Sequence, residues 1–122
     1  MDECTVNRRK LSDEFKEFRK VFIALGDETR QQIFITFLEN EEIGMRVPEI
    51  TKQTHLSRPA VSHHLQILKD ASLIGMKRIG TMNYYYVDAN TGKWSNFKKL
   101  VDNINVLISE ANANNYPRIP EE

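Results

Sequence analysis

Near the start of the chain, Leu11, Phe15, Phe18, Phe22 and Leu25 recur at spacings of four, three, four and three. That is the period of one helix face, and it predicts a helix over residues 12–25. Ser12 reads as its N-cap, and Asp13 and Glu14 set negative charge at its positive end. Gly26 fits the left-handed position that closes a helix. Asp27 follows as the N-cap of a second helix over about residues 28–39, with Ile33, Phe34, Phe37 and Leu38 as its expected buried face. A polar connector, ENEEIGM, separates it from the next element.

A short third helix is expected from about Pro48, whose missing N–H is harmless in a first turn, to Thr54. Ser57 caps a fourth, again with a proline, Pro59, in its first turn. After Ala71 the period changes. Residues 73–79, LIGMKRI, and residues 84–87, YYYV, are β-prone runs around Gly80, Thr81, Met82 and Asn83, the signature of a hairpin. A last helix is expected from Thr91 or Gly92 to Ala111, and the tail beyond it has no periodic apolar face. The fold class is therefore mostly α with a small β-hairpin, in the order α-α-α-α-β-β-α. A short helix, a tight turn, a capped longer helix and a hairpin together give a winged helix-turn-helix, in which the fourth helix is the reading helix. The expected division is an N-terminal arm over 1–11, the winged-helix domain over 12–111 and a flexible tail over 112–122.

The fourth helix carries two adjacent histidines, His63 and His64. Successive helical side chains point about 100° apart, so the two rings face different surroundings. His64 falls within the apolar arc of Val61, Leu65, Leu68, Ala60 and Ile67, and is expected to be buried and neutral with one hydrogen-bond partner. His63 falls on the polar face with Arg58, Pro59, Ser62, Gln66, Lys69 and Asp70. Two ligands for one metal on a helix need a spacing of three or four, which this pair lacks. No catalytic set of nucleophile, base and orienting group accompanies them, so no enzyme is expected. Cys4, the single cysteine, excludes an intrachain disulfide.

Net charge is zero, with 17 basic and 17 acidic side chains, but the charge is unevenly placed. Residues 43–80 hold Arg46, Lys52, Arg58, Lys69, Lys77 and Arg78 against Glu49 and Asp70 only. A positive patch is thus available in the middle third, where the helix-turn-helix lies. No apolar run approaches the roughly 20 residues that span a bilayer, and the first residues lack a signal peptide's apolar stretch. A cytoplasmic protein without a membrane partner is the expectation.

LGDETRQQIFITFL, PEITKQTHLSRPAVSHHLQILKDASLI and the RIGTMNYYYV hairpin together resemble the ArsR family of bacterial winged-helix repressors. The similarity covers most of Phe18 to Val87. The family's Ser-x-His-Leu core is met by Ser62, His63, His64 and Leu65. Its Leu-x-x-Ala-Gly-Leu ending is met by Leu68, Lys69, Asp70, Ala71, Ser72 and Leu73, with Ser72 in place of the usual glycine. His55 stands where glycine is frequent in the turn, and a left-handed histidine there costs about 1 kcal/mol.

The resemblance implies a homodimer whose first and last helices pack between subunits, a repressor reading an inverted-repeat operator in double-stranded DNA. The interface would draw on Phe15, Phe18, Phe22, Trp94, Phe97, Val101, Ile104 and Ile108. The groove-facing set would be Ser57, Arg58, Pro59, Ser62, His63 and Gln66, with Lys69, Lys77 and Arg78 on the backbone. The family's metal-sensing form has a Cys-x-Cys pair before an acidic residue. Aligned on Glu49, those positions here hold Arg46 and Pro48, and no histidine follows His64 to build the other site known in the family. The expectation is therefore no metal and no cofactor, and release by a non-metal small molecule, by a protein effector or by none. Two alternatives stand beside it: a winged-helix module that binds protein and not specific DNA, and a metal sensor with an unrecognised site.

Overall fold

The computed structural model describes residues 3–41, 44–113 and 120. Its elements are α1 (Glu3–Glu17), α2 (Arg19–Leu25), α3 (Glu28–Glu39), α4 (Val47–Thr54), α5 (Arg58–Asp70), β1 (Ile74–Ile79), β2 (Met82–Val87) and α6 (Lys93–Ala113). They form two units: Arg19–Lys93 in one, and the residues up to Phe18 together with those from Trp94 in the other.

The winged helix lies wholly in the central unit. Val21 and Ala24 of α2, Ile33 and Phe37 of α3, Ile50 of α4, Val61, Leu65 and Leu68 of α5, and Leu73 and Ile74 at the start of the hairpin are all buried. Each Val, Leu, Ile or Phe side chain among them contributes roughly 1.5–3 kcal/mol relative to exposure. The hairpin is antiparallel, with Ile74 opposite Val87 and Ile79 opposite Met82. Its loop is therefore Gly80–Thr81 alone, with Gly80 at φ 64, and Met82 and Asn83 belong to the strand where the sequence suggested a turn. An isolated bridge ties the wing to the chain before α4: Met45 and Tyr85 exchange both backbone bonds, at 2.7 and 2.8 Å. Gly75 sits opposite Tyr86, and a Cβ on it would lie 2.7 Å from the tyrosine Cζ.

Several expectations change. The first helix begins at Glu3 and not at Ser12, so it takes in most of the stretch expected as an arm. Ser12 is a good cap residue, but in a helix interior it costs only a few tenths of a kcal/mol, too little to stop an established helix. The stripe is also interrupted. Phe18 donates its N–H to Phe15 O at 3.0 Å, an i→i−3 bond that tightens the chain between α1 and α2. Leu38 is 66% exposed, because it lies about 140° from Ile33; Thr36 takes the inward position and gives its hydroxyl hydrogen to Gln32 O at 2.9 Å.

Gly26 is not left-handed; among described glycines only Gly44, Gly80 and Gly92 have positive φ. Its place is explained by space, since a Cβ would fall 2.9 Å from Phe22 O. Side chains from α3 close α2 instead. Arg30 donates to Ala24 O (2.8 Å) and Ile23 O (3.0 Å), and Gln31 donates to Leu25 O (2.6 Å). These bonds satisfy carbonyls that a helix end leaves without partners.

In the terminal unit, Phe18 and Leu100 are buried, and the Phe18 and Phe97 rings meet at 5.8 Å between centroids. The last helix continues to Ala113, beyond the expected end at Ala111. Most of the expected tail, positions 114–119 and 121–122, lies outside the described residues. No described helix is long and apolar enough to cross a membrane.

Candidate nucleic-acid interface

The turn between α4 and α5 is built from local chemistry. His55 closes α4 in the left-handed region (φ 59, ψ 20), and its N–H donates to Thr51 O at 2.9 Å. Histidine visits this region more readily than most residues, though at a cost glycine avoids. Two residues on, Ser57 is extended and its Oγ accepts from the Ala60 N–H at 3.2 Å, which starts α5. Pro59 fits the first turn because its absent N–H would have no helical partner. The exit from α5 repeats the device: Ser72 lies at φ 61 and donates its N–H to Lys69 O at 2.9 Å. Two left-handed residues thus bracket α5.

The helix is amphipathic as its sequence predicts. Val61, Leu65 and Leu68 are buried, while Ser57, Arg58, Pro59, Ser62, His63 and Gln66 are exposed on its outer side. Lys69 is half-buried near the helix end, and Lys77 and Arg78 are exposed on β1. Two side chains are partly engaged already. Gln66 donates its amide N–H to Asp70 Oδ1 at 2.8 Å, so a bidentate contact to adenine would require it to leave Asp70. Arg78 Nε donates to Gly80 O at 3.2 Å, which steadies the wing turn.

The two histidines separate by exposure, His63 outside and His64 half-buried, yet their rings still meet edge to face with centroids 5.4 Å apart. His64 Nδ1 lies 3.4 Å from Arg30 Nη1. A guanidinium has donors only, so Nδ1 is the acceptor and the proton of the neutral ring sits on Nε2. Burial pushes the His64 pKa below the ordinary histidine value; the Asp27 carboxylate works against that shift, and the Arg30 and His63 charges reinforce it. The Asp27 carboxyl is itself held below the usual carboxylate range, chiefly by the Arg30 backbone N–H that it accepts at 2.9 Å as the α3 cap.

Sequence reasoning missed Arg30. The signal was present in Asp27-x-x-Arg30, a cap followed one turn later by a cation, but the partner on α5 is 34 residues away.

The residues expected at a dimer interface are divided. Phe18 is buried inside its own chain, and Phe22, Trp94, Phe97 and Ile104 are half-buried. Phe15, Val101 and Ile108 are exposed by 46%, 49% and 52%. Among the described residues no three His, Cys, Asp or Glu side chains cluster as metal ligands would.

A model of bacterial regulatory proteins of the arsR family matches residues 27–75, which run from the α3 cap through α5 into β1. An uncharacterized HTH-type transcriptional regulator of Methanocaldococcus jannaschii is 35% identical over 75 residues, spanning 62% of this chain and 82% of that protein. The transcriptional repressor SdpR of Bacillus subtilis is 33% identical over 92 residues, spanning 75% and 90%. Among solved structures, the homodimeric winged helix-turn-helix DNA-binding domain of a Mycobacterium bovis protein superposes with a TM-score of 0.56 at 19% identity, covering 98% of this chain and 97% of that one. At that identity the likeness is one of fold.

Proposed function

The chain belongs to the arsR family of bacterial regulatory proteins, DNA-binding transcriptional regulators and not enzymes, and we propose that it acts there as a homodimeric repressor. On this reading each α5 enters a major groove, and the pair reads an inverted repeat with half-sites about one helical turn apart. One observation carries the proposal: α5 turns a continuous polar face of Ser57, Arg58, Pro59, Ser62, His63 and Gln66 outward while its other face is locked into the core. The repressor role is supported by the similarity to SdpR, and dimerisation by the homodimeric fold relative and by the apolar exposure of Phe15, Val101 and Ile108. The setting is the cytoplasm, where such a protein meets the chromosome.

Arg58 and Gln66 are the residues assigned to base edges. Ser57, Ser62, Lys69, Lys77 and Arg78 are assigned to the backbone, with Pro59 and His63 at the groove. Release is assigned to a non-metal signal, because the donor positions that would serve a thiophilic metal hold Arg46 and Pro48.

Selection from random duplex DNA, followed by anisotropy titration of the recovered sequence, tests the reading. An inverted repeat is expected, and Arg58→Ala should weaken its binding by ~1–3 kcal/mol while leaving the association state unchanged. Failure to enrich any repeat would favour a protein-binding module in its place. Binding that changes with added zinc, cadmium, copper or arsenite would overturn the non-metal assignment.

A further inference from the structure

Arg30 is mostly buried, its side chain only 11% exposed, and it touches three separate parts of the central unit. Its Nε and Nη2 hold the last carbonyls of α2, at Ala24 and Ile23. Its backbone N–H and guanidinium meet the Asp27 carboxylate, at 2.9 and 3.9 Å, where α3 begins. Its Nη1 reaches His64 Nδ1 on the inner flank of α5. The first two contacts belong to the α2–α3 corner. The third fastens that corner to the reading helix, and it is a polar tie in a face otherwise held by the non-directional packing of Val61, Leu65 and Leu68.

This tie exists in one protonation state only. Neutral His64 offers an Nδ1 lone pair to the guanidinium; a protonated ring has a donor at both nitrogens and adds a second cation beside Arg30. Among the described residues, the charged or titratable groups bearing on His64 are Asp27 and Arg30 at the start of α3 and His63 on its own helix. Asp27 favours the protonated ring, but its carboxylate is already engaged by the Arg30 backbone N–H and guanidinium.

We propose that Arg30 is a positioning residue that sets the reading helix through the unprotonated Nδ1 of His64, so that operator binding weakens when that imidazole takes up a proton. The proposal rests on the regulator reading above. It adds to that reading a residue outside the groove and a dependence on mild acidity. The helix keeps its groove-facing side chains and its apolar packing when the ring is protonated, but loses the directional bond that joins it to α3. Burial of the ring places the change on the acid side of ordinary histidine titration, in agreement with this sign.

The test is a pH series of operator affinity, measured on the full chain with the DNA recovered by selection. His64→Asn is the key variant, because its Oδ1 can replace Nδ1 as an acceptor and cannot be protonated. From about pH 7.5 to about pH 5.5 the wild type should lose affinity relative to His64→Asn by roughly three- to tenfold, the worth of one such bond. His63→Asn, which removes the neighbouring imidazole on the outer face, should keep that loss. Arg30→Gln should abolish it, and Arg30→Lys should not restore it, since an ammonium cannot serve three acceptors in fork geometry. A second reading comes from NMR titration of the His64 ring in DNA-free protein, whose pKa should rise in Arg30→Gln. A wild type that binds at pH 7.5 with a pH-independent ratio to His64→Asn overturns the proposal alone. An unchanged His64 titration in a folded Arg30→Gln protein does the same. A wild type that selects no DNA overturns the regulator reading, and the proposal with it.

Discussion

Replacing His55 and Ser72 by glycine should stabilise the protein, and the amount can be worked from their backbone angles. Both are left-handed, at φ 59 and φ 61, where an L side chain crowds the following carbonyl. The strain is roughly 1–2 kcal/mol for an ordinary residue, and less for histidine, which is several-fold enriched there. Glycine removes it but enlarges the unfolded ensemble, at about 0.5–1 kcal/mol. Neither change deletes a polar contact of the backbone, because His55 donates to Thr51 O and Ser72 to Lys69 O through main-chain N–H groups that glycine keeps. The net gain is then about 0.5–1 kcal/mol for Ser72→Gly and a few tenths for His55→Gly. The sites flank a helix of 13 residues, about 20 Å long, so the effects should add. The double variant should melt about 3–6 °C higher, judged by circular dichroism at one fixed protein concentration so that association does not confound the comparison. His55→Val provides the opposite sign, since a β-branched residue in this region is a genuine outlier. If both glycine variants were destabilised by about 1 kcal/mol, glycine's unfolded-state cost would be acting without strain relief, and the left-handed assignment would fall.

Ser57→Ala removes the side chain that caps α5 and should cost ~1 kcal/mol in urea denaturation. Gly75→Ala drives a methyl into the Tyr86 ring and should cost ~1–3 kcal/mol; a Tyr86→Leu background that fails to absorb most of this would argue against the contact. The pH dependence of stability follows from His64. Its folded pKa lies below the ordinary value of about 6.5, so the unfolded chain binds the extra proton, and stability is fully present above that value and falls as pH drops through the folded one. Asp27 has the same sign at lower pH: its depressed pKa gives stability above the ordinary carboxylate value of about 3.9, lost as pH falls through the folded value. Melting temperatures across this range should therefore show an acid-side slope that His64→Asn flattens between about pH 5 and pH 6.5.

The helix-turn-helix was legible because its signals are local. Ser57 and Pro59 mark a helix start within three residues, and the exposed and buried faces of α5 follow from a single period. The turn at His55 was also accessible, through the substitution of histidine where the family favours glycine. What was not legible depends on contacts between distant segments. Ser12 has the identity of a cap, but within a helix it costs only a few tenths of a kcal/mol, and the helix from Glu3 runs through it. Leu38 is apolar and near the right spacing, but Thr36 occupies the inward position because its hydroxyl can bond within the helix. Gly26 has the identity of a left-handed cap, and side chains of Arg30 and Gln31 make that cap unnecessary. The Met45–Tyr85 bridge joins two segments with no shared pattern. In each case the local preference is real and a tertiary contact outweighs it.

The zero net charge bears on how much such contacts matter. A strongly basic reader gains much of its affinity from phosphate neutralisation, which tolerates small errors of orientation. Here the opposing charge is segregated: residues 1–42 carry ten acidic against seven basic side chains, and the basic excess lies at 43–80. Long-range attraction is correspondingly weak, and only Arg58, Lys69, Lys77 and Arg78 are assigned as cations at the DNA. On the proposed reading, a larger share of the binding free energy comes from base-edge contacts at α5, and those require donors and acceptors aligned to within fractions of an ångström. The left-handed turns at His55 and Ser72 and the Arg30–His64 tie act on that alignment from outside the groove-facing set. Variants at these positions should accordingly lower the affinity for the selected site more than the affinity for unrelated DNA, whereas loss of Lys77 or Arg78 should lower both alike.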